Sequence, residues 1–203
     1  MKKLFLCSSF SDSKYALQEF AGENLKGKRV TFIPTASVVE EVTHYVEAAK
    51  AVFHQLGMHI DILDIAKEPK ERSIQTIKKN DLIYVSGGNT FYLLQELRKN
   101  KMDQVLSEEI QRGKLYIGES AGTIIMSPNI KYISLMDDEG KAPELASYQG
   151  LNEINSYPVP HVKNEYLGND AQQIVNQYAS ELRLLPLTDQ QVILVEGDKI
   201  AVK

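Results

Sequence analysis

Lys114-Leu115-Tyr116-Ile117-Gly118-Glu119-Ser120-Ala121-Gly122-Thr123-Ile124-Ile125-Met126 is the stretch that decides the fold. Lys114 to Ile117 reads as a strand and Thr123 to Met126 as the start of a helix, with two glycines bracketing a serine between them. A chain that turns sharply from strand to helix needs small neighbours, because the turn brings backbone and side chains close together. Such an elbow holds its central residue in a strained backbone conformation and lifts its side chain clear of the sheet, here the Ser120 hydroxyl. The Ala121 amide can then donate to an oxyanion, aided by the field at the helix N-terminus.

The pattern repeats along the chain. Leu4–Cys7, Arg29–Ile33, Ile60–Leu63 and Asp81–Val85 read as further strands, several of them apolar at consecutive positions, as in strands covered on both faces. Between them lie helical stripes: Val42, Tyr45, Val46, Ala49, Val52, Phe53 and Leu56; then Phe91, Leu94 and Leu97; then Met102, Val105, Leu106 and Ile110. Ile174, Val175, Tyr178 and Leu182 form another. Strands separated by helices imply parallel pairing through right-handed crossovers. The expected fold is therefore α/β, a doubly wound, mostly parallel sheet with helices on both faces. Val192–Val195 and Lys199–Val202, around Gly197-Asp198, close it with an antiparallel hairpin. Residues 131–163 hold Pro143, Pro158 and Pro160 and show weak periodicity, which marks a functional loop or a hidden element.

With no linker or repeat, the 203 residues read as one domain, 1–203. Lys and Arg are scattered and the net charge is −4, against a nucleic-acid partner. No apolar window is long enough to span a bilayer, and the N-terminal apolar run stops at Ser8-Ser9, too short for a secretory signal. The single cysteine, Cys7, cannot form an internal disulfide and reads as a small apolar residue ending a buried strand. The expectation is a cytoplasmic protein that does not bind a membrane.

A second glycine turn, Ser86-Gly87-Gly88-Asn89-Thr90-Phe91, also follows a strand and opens a helix. Ligands of parallel sheets bind beyond the carboxyl ends of strands, so Gly88 N–H and Ala121 N–H are the candidates for an oxyanion hole. Neither a phosphate-binding loop nor a dinucleotide fingerprint is present. A serine nucleophile needs a base. His44, His54 and His59 read as surface or structural residues. His161 follows Pro158-Val159-Pro160, and rigid prolines can fix a segment that carries a catalytic group. Asp137 and Asp138 share its segment as candidate orienters, and either also suits a turn at Asp-Asp-Glu-Gly. Glu119 lies too close to Ser120 for that task. No His and carboxylate cluster has metal-ligand spacing, so no metal is expected.

Ser-Gly-Gly-Asn-Thr-Phe at 86–91, Leu-Tyr-Ile-Gly-Glu-Ser-Ala-Gly at 115–122 and Pro160-His161 together resemble the peptidase E (aspartyl dipeptidase) and cyanophycinase family of serine peptidases. The resemblance implies a fold related to class I glutamine amidotransferase domains and no metal or organic cofactor. It implies a triad of Ser120, His161 and Asp137 or Asp138, with Asp138 preferred, and hydrolysis of short peptides near the N-terminus. A homodimer is an assembly suggested by the resemblance alone. Asn89 and Lys131 are the candidate substrate-binding residues, with Lys163 an alternative to Lys131. Aspartyl dipeptidases carry an arginine upstream of their late helix, suited to a substrate carboxylate. Here that region reads Gly168-Asn169-Asp170-Ala171-Gln172-Gln173, without one.

Overall fold

A computed structural model describes residues 1–203. In chain order the elements are β1 (Lys3–Cys7), α1 (Phe10–Ser13), α2 (Leu17–Ala21), β2 (Arg29–Ile33), α3 (His44–Gln55), β3 (His59–Ile62), α4 (Lys70–Lys79), β4 (Leu82–Val85), α5 (Thr90–Lys99), α6 (Met102–Gln111), β5 (Leu115–Glu119) and α7 (Ala121–Ile124). β6 (Tyr157–Val159), α8 (Gly168–Tyr178), β7 (Leu184–Pro186), β8 (Val192–Glu196) and β9 (Lys199–Val202) complete it.

The main sheet has seven strands in the order β3-β2-β4-β5-β1-β8-β9. The first five run parallel, and the terminal hairpin β8–β9 adds antiparallel on β1. Each buried strand alternates its side chains between two cores. Ile83 and Val85 of β4 enter a core shared with Leu93 and Leu97 of α5 and Leu106 and Ile110 of α6. Leu82 and Tyr84 of the same strand face Val52 and Phe53 of α3 and Leu17 of α2. This two-sided burial explains why the strands read as unbroken apolar runs.

Two features depart from the expected pattern. First, α4 links β3 to β4, though the sequence shows no apolar stripe there. Ser73 and Ile77 are buried, Ile74 packs partly buried against the same core, and five of the remaining residues are Lys, Glu or Arg. Second, residues 131–163 contain two short 3-10 turns, Lys131–Ile133 and Glu139–Lys141, and the strand β6. β6 pairs in parallel with β7 in a separate two-stranded sheet, with Pro158 opposite Leu185 and Val159 opposite Pro186. Prolines in both strands disguise them, since proline is tolerated only where the ladder does not require its missing N–H. A third core, including Phe91, Leu94, Ile124, Val159 and Ile174, ties this small sheet to α5, α7 and α8.

Candidate active site

Val85 of β4 pairs with Gly118 of β5, so the turns that follow these parallel strands are neighbours at the carboxyl end of the sheet. A side chain on Gly118 would meet the Gly122 carbonyl oxygen at 2.5 Å, and one on Gly122 would meet the Val85 carbonyl oxygen at 2.4 Å. Neither position has room for a Cβ, and Ser120 between them takes φ 46°, ψ −103°. Positive φ is costly for a residue with a Cβ and persists only where the surroundings over-determine it. Three groups do so here. Ser120 N–H donates to the Cys7 carbonyl at 2.9 Å, and the Ser120 carbonyl accepts from Thr123 N–H (2.8 Å) and Ile124 N–H (2.9 Å). The Thr123 hydroxyl reaches the carbonyls of both Cys7 (2.9 Å) and Gly118 (2.7 Å). The helix that follows is shorter than the sequence suggests: α7 is a single turn, and the Ser127 hydroxyl back-bonds to Ile124 carbonyl (2.7 Å) before Pro128.

The turn after β4 packs on the elbow. A Cβ on Gly87 would stand 3.3 Å from Ser120 Cβ. Gly88 has φ +127°, and a Cβ there would lie 2.2 Å from the Ala36 carbonyl oxygen, so only glycine fits. Neither the Gly88 nor the Ala121 N–H donates to another group of the protein. Asn89 is spent on structure: its Oδ1 accepts from Tyr92 N–H (2.9 Å) as the N-cap of α5, and its Nδ2 donates to the Asp138 carbonyl (3.0 Å).

His161 lies against the elbow. Its Nε2 is 2.9 Å from Ser120 Oγ and its Nδ1 is 2.8 Å from Asp189 Oδ1. Asp189 Oδ2 in turn accepts from Asn164 Nδ2 at 2.6 Å. Burial pushes the Asp189 carboxyl up, but the hydrogen bonds from His161 and Asn164 and the imidazole charge outweigh it and hold it below the usual carboxylate value. The small sheet makes this meeting possible. β6 and β7 run side by side in the same direction, so His161, just past β6, and Asp189, just past β7, leave from the same end. Val162 N–H donates to the Leu187 carbonyl (2.9 Å) and Leu187 N–H to the Val159 carbonyl (2.9 Å), locking the two exits together. His161 itself takes φ 65°.

The carboxylate beside His161 is thus Asp189, and the expectation of Asp137 or Asp138 is corrected. Asp137 Oδ2 accepts from Thr90 N–H at the start of α5 (2.9 Å); burial raises its carboxyl to about 6. Asp138 Oδ1 accepts from Gly140 N–H (2.8 Å) and caps the 3-10 turn at 139–141. Both are the turn residues that their sequence context allowed. Lys131 is not free for a substrate carboxylate either. Its Nζ lies 2.5 and 2.7 Å from the two Glu139 carboxylate oxygens and 4.6 Å above the Tyr148 ring. Asn164 and Asp189 were not among the expected site residues. The available signal was an aspartate just beyond the apolar run Leu184–Leu187, before the final hairpin, where any turn would also place one.

Glu119 is buried against Phe10 and Tyr84. Its Oε1 accepts from Phe10 N–H (2.8 Å) and its Oε2 from the Tyr84 hydroxyl; burial raises its carboxyl, partly offset by these donors. Cys7 is fully buried, and burial likewise pushes its thiol well up, as expected for a packing residue. No helix is long and apolar enough to cross a membrane.

Known proteins resemble the chain over its whole length. An uncharacterized peptidase of Listeria monocytogenes serovar 1/2a is 48% identical over 203 residues, covering 100% of this chain and 98% of the relative. Peptidase E of Nostoc sp. is 30% identical over 192 residues, covering 93% of this chain and 75% of the relative. Among solved structures, a candidate peptidase E protein from L. monocytogenes EGD-e superposes with a TM-score of 0.96 at 47% identity, covering 100% of this chain and 98% of that one. A peptidase from an acI-B1 actinobacterium shares the fold, with a TM-score of 0.73 at 21% identity over 100% of this chain and 87% of that one. The match to the description of peptidase family S51 runs over residues 4–203, and the chain belongs to that family of serine-type peptidases.

Proposed function

We propose that this chain hydrolyses short peptides through an acyl-enzyme on Ser120, with His161 as general base and Asp189 as the carboxylate that orients it. The observation that carries the reading is the continuous relay Ser120 Oγ–His161 Nε2 (2.9 Å), His161 Nδ1–Asp189 Oδ1 (2.8 Å). In that arrangement Asp189 keeps the imidazole proton on Nδ1, leaving Nε2 to accept the Ser120 proton as Oγ attacks the scissile carbonyl. The free N–H groups of Gly88 and Ala121 receive the oxyanion of the tetrahedral intermediate, each worth about a hundredfold or more in rate. His161 then protonates the leaving amine, and water, deprotonated by the same imidazole, clears the acyl group. Lys131 is paired with Glu139 and no arginine stands at 168–173, which leaves Lys163, exposed and two residues beyond His161, as the remaining cation among those considered for an acidic first residue. The substrate class is therefore short peptides, with the side chain left to a panel of N-terminal residues.

The test is fluorophosphonate labelling of the wild type, Ser120→Ala and His161→Ala, beside turnover of a dipeptide panel. Labelling by the wild type alone, with peptide turnover lost in both variants, is the expected result. A wild type that neither labels nor cleaves any peptide or ester would refute the reading.

A further inference from the structure

The 2.9 Å contact between Ser120 and His161 joins residues 41 positions apart, carried by different sheets. Two adjacent residues at the end of β1 touch both segments. The Cys7 carbonyl accepts from Ser120 N–H (2.9 Å). The next residue, Ser8, accepts from His161 N–H through its hydroxyl oxygen (3.2 Å). The same hydroxyl donates to the Leu187 carbonyl (3.3 Å), two residues before Asp189. Ser8 is fully buried, and its Oγ uses both a donor and an acceptor function in a single contact set. His161 at φ 65° is away from any ladder, so the Ser8 hydroxyl is what satisfies its backbone N–H.

Resting on the triad reading above, we propose that Ser8 is a positioning residue for catalysis: its hydroxyl sets the His161–Asp189 pair at bonding distance from Ser120. Cys7 fixes the nucleophile through its backbone, and Ser8 fixes the base through its side chain. The dipeptide is the template on which the two halves of the site are aligned. Neither residue touches the reacting atoms. An alanine at position 8 keeps the strand and the Cys7 carbonyl but removes the acceptor of the His161 N–H, the bond that ties the segment to β1. A displacement of the imidazole by about 1 Å costs on the order of a hundredfold in rate. Binding of substrate, which does not involve Ser8, is unaffected.

The experiment compares wild type, Ser8→Ala and Ser8→Thr in three readouts: fluorophosphonate labelling rate, kcat against KM on a cleaved dipeptide, and the low-field imidazole proton shared by His161 and Asp189 in NMR. In Ser8→Ala, labelling and kcat should fall by about tenfold or more at unchanged KM, and the low-field resonance should shift or broaden. Ser8→Thr, which keeps the hydroxyl, should recover most of both. Equal rates in Ser8→Ala and wild type, or equal loss in Ser8→Ala and Ser8→Thr, would overturn the proposal. Should Ser8→Ala not fold, hydrogen exchange of the His161 amide in the wild type decides: protection supports the bond to Ser8, and exchange at the rate of a free amide overturns it. A wild type without labelling or turnover would sink the triad reading, while the exchange and low-field measurements would still report on Ser8.

Discussion

Replacing Asp189 by alanine isolates the step that the sequence could not assign. In the proposed mechanism His161 becomes an imidazolium in the transition state, and Asp189 Oδ1 stands 2.8 Å from Nδ1. Two unit charges at that separation attract by 332/(εr), about 6 kcal/mol at an effective dielectric of about 20 and about 3 kcal/mol at about 40. The Asp189 side chain is 26% exposed, which places the pair between those two values. Its loss should therefore reduce kcat/KM by roughly a hundredfold to ten-thousandfold, at about tenfold per 1.4 kcal/mol. The assay is kcat/KM on a cleaved dipeptide for Asp189→Ala beside Asp138→Ala, with thermal unfolding as the control for folding. Asp138 caps a surface turn, so its variant should stay within about threefold of wild type. An Asp189→Ala enzyme within tenfold of wild type, or an Asp138→Ala loss as deep as that of Asp189→Ala, would refute the assignment.

Other outcomes follow from the same geometry. Asn164→Ala frees one Asp189 oxygen and breaks the turn that accepts Tyr166 and Leu167 N–H groups, so kcat should fall about tenfold and stability by about 1–2 kcal/mol, read by kinetics and denaturant unfolding. Gly88→Ala places a Cβ 2.2 Å from the Ala36 carbonyl at φ +127°, and should cost about 2 kcal/mol or more and most of the activity. Asp137 has its carboxyl raised to about 6, so the folded state binds its proton before the unfolded state does. Stability from this group falls as pH rises from about 4 to about 6. Asp137→Asn, which keeps an acceptor for Thr90 N–H, should be more stable than wild type by about 1–3 kcal/mol above pH 7 and equal to it near pH 4. An unfolding titration showing no pH dependence of that difference would contradict the burial of this carboxyl.

What could be read from the sequence was whatever local spacing controls. The five parallel strands, the stripes of α3, α5 and α6, and the terminal hairpin show their periods directly, because each is buried on a defined face. The two glycine turns were legible because a Cβ at Gly88, Gly118 or Gly122 would collide with backbone. His161 was legible through the prolines before it. Asp189 was not, because its partnership with His161 depends on β6 and β7 pairing in parallel across residues 157 to 186, and prolines mask both strands. Asp137 and Asp138 lay nearer His161 in sequence, which carries no information about a contact made through a second sheet. α4 escaped notice because only two large apolar residues, Ile74 and Ile77, mark its core face, too few for a stripe across its length.

The position of β8 also sets the order in which activity can arise during synthesis. β1, made first, carries the Cys7 carbonyl that holds Ser120, yet it lies in the sheet between β5 and β8, and Lys3 pairs with Glu196. A ribosome-bound chain that has completed the elbow has neither Asp189 nor the strand that covers the far edge of β1. Long-range pairing of this kind comes late in folding because the intervening loop must close first. In the triad proposed above, the nucleophile is made first and meets its base and carboxylate only once residues 161 and 189 have been added, so the carboxylate that orients the base is the last of the three parts to be made.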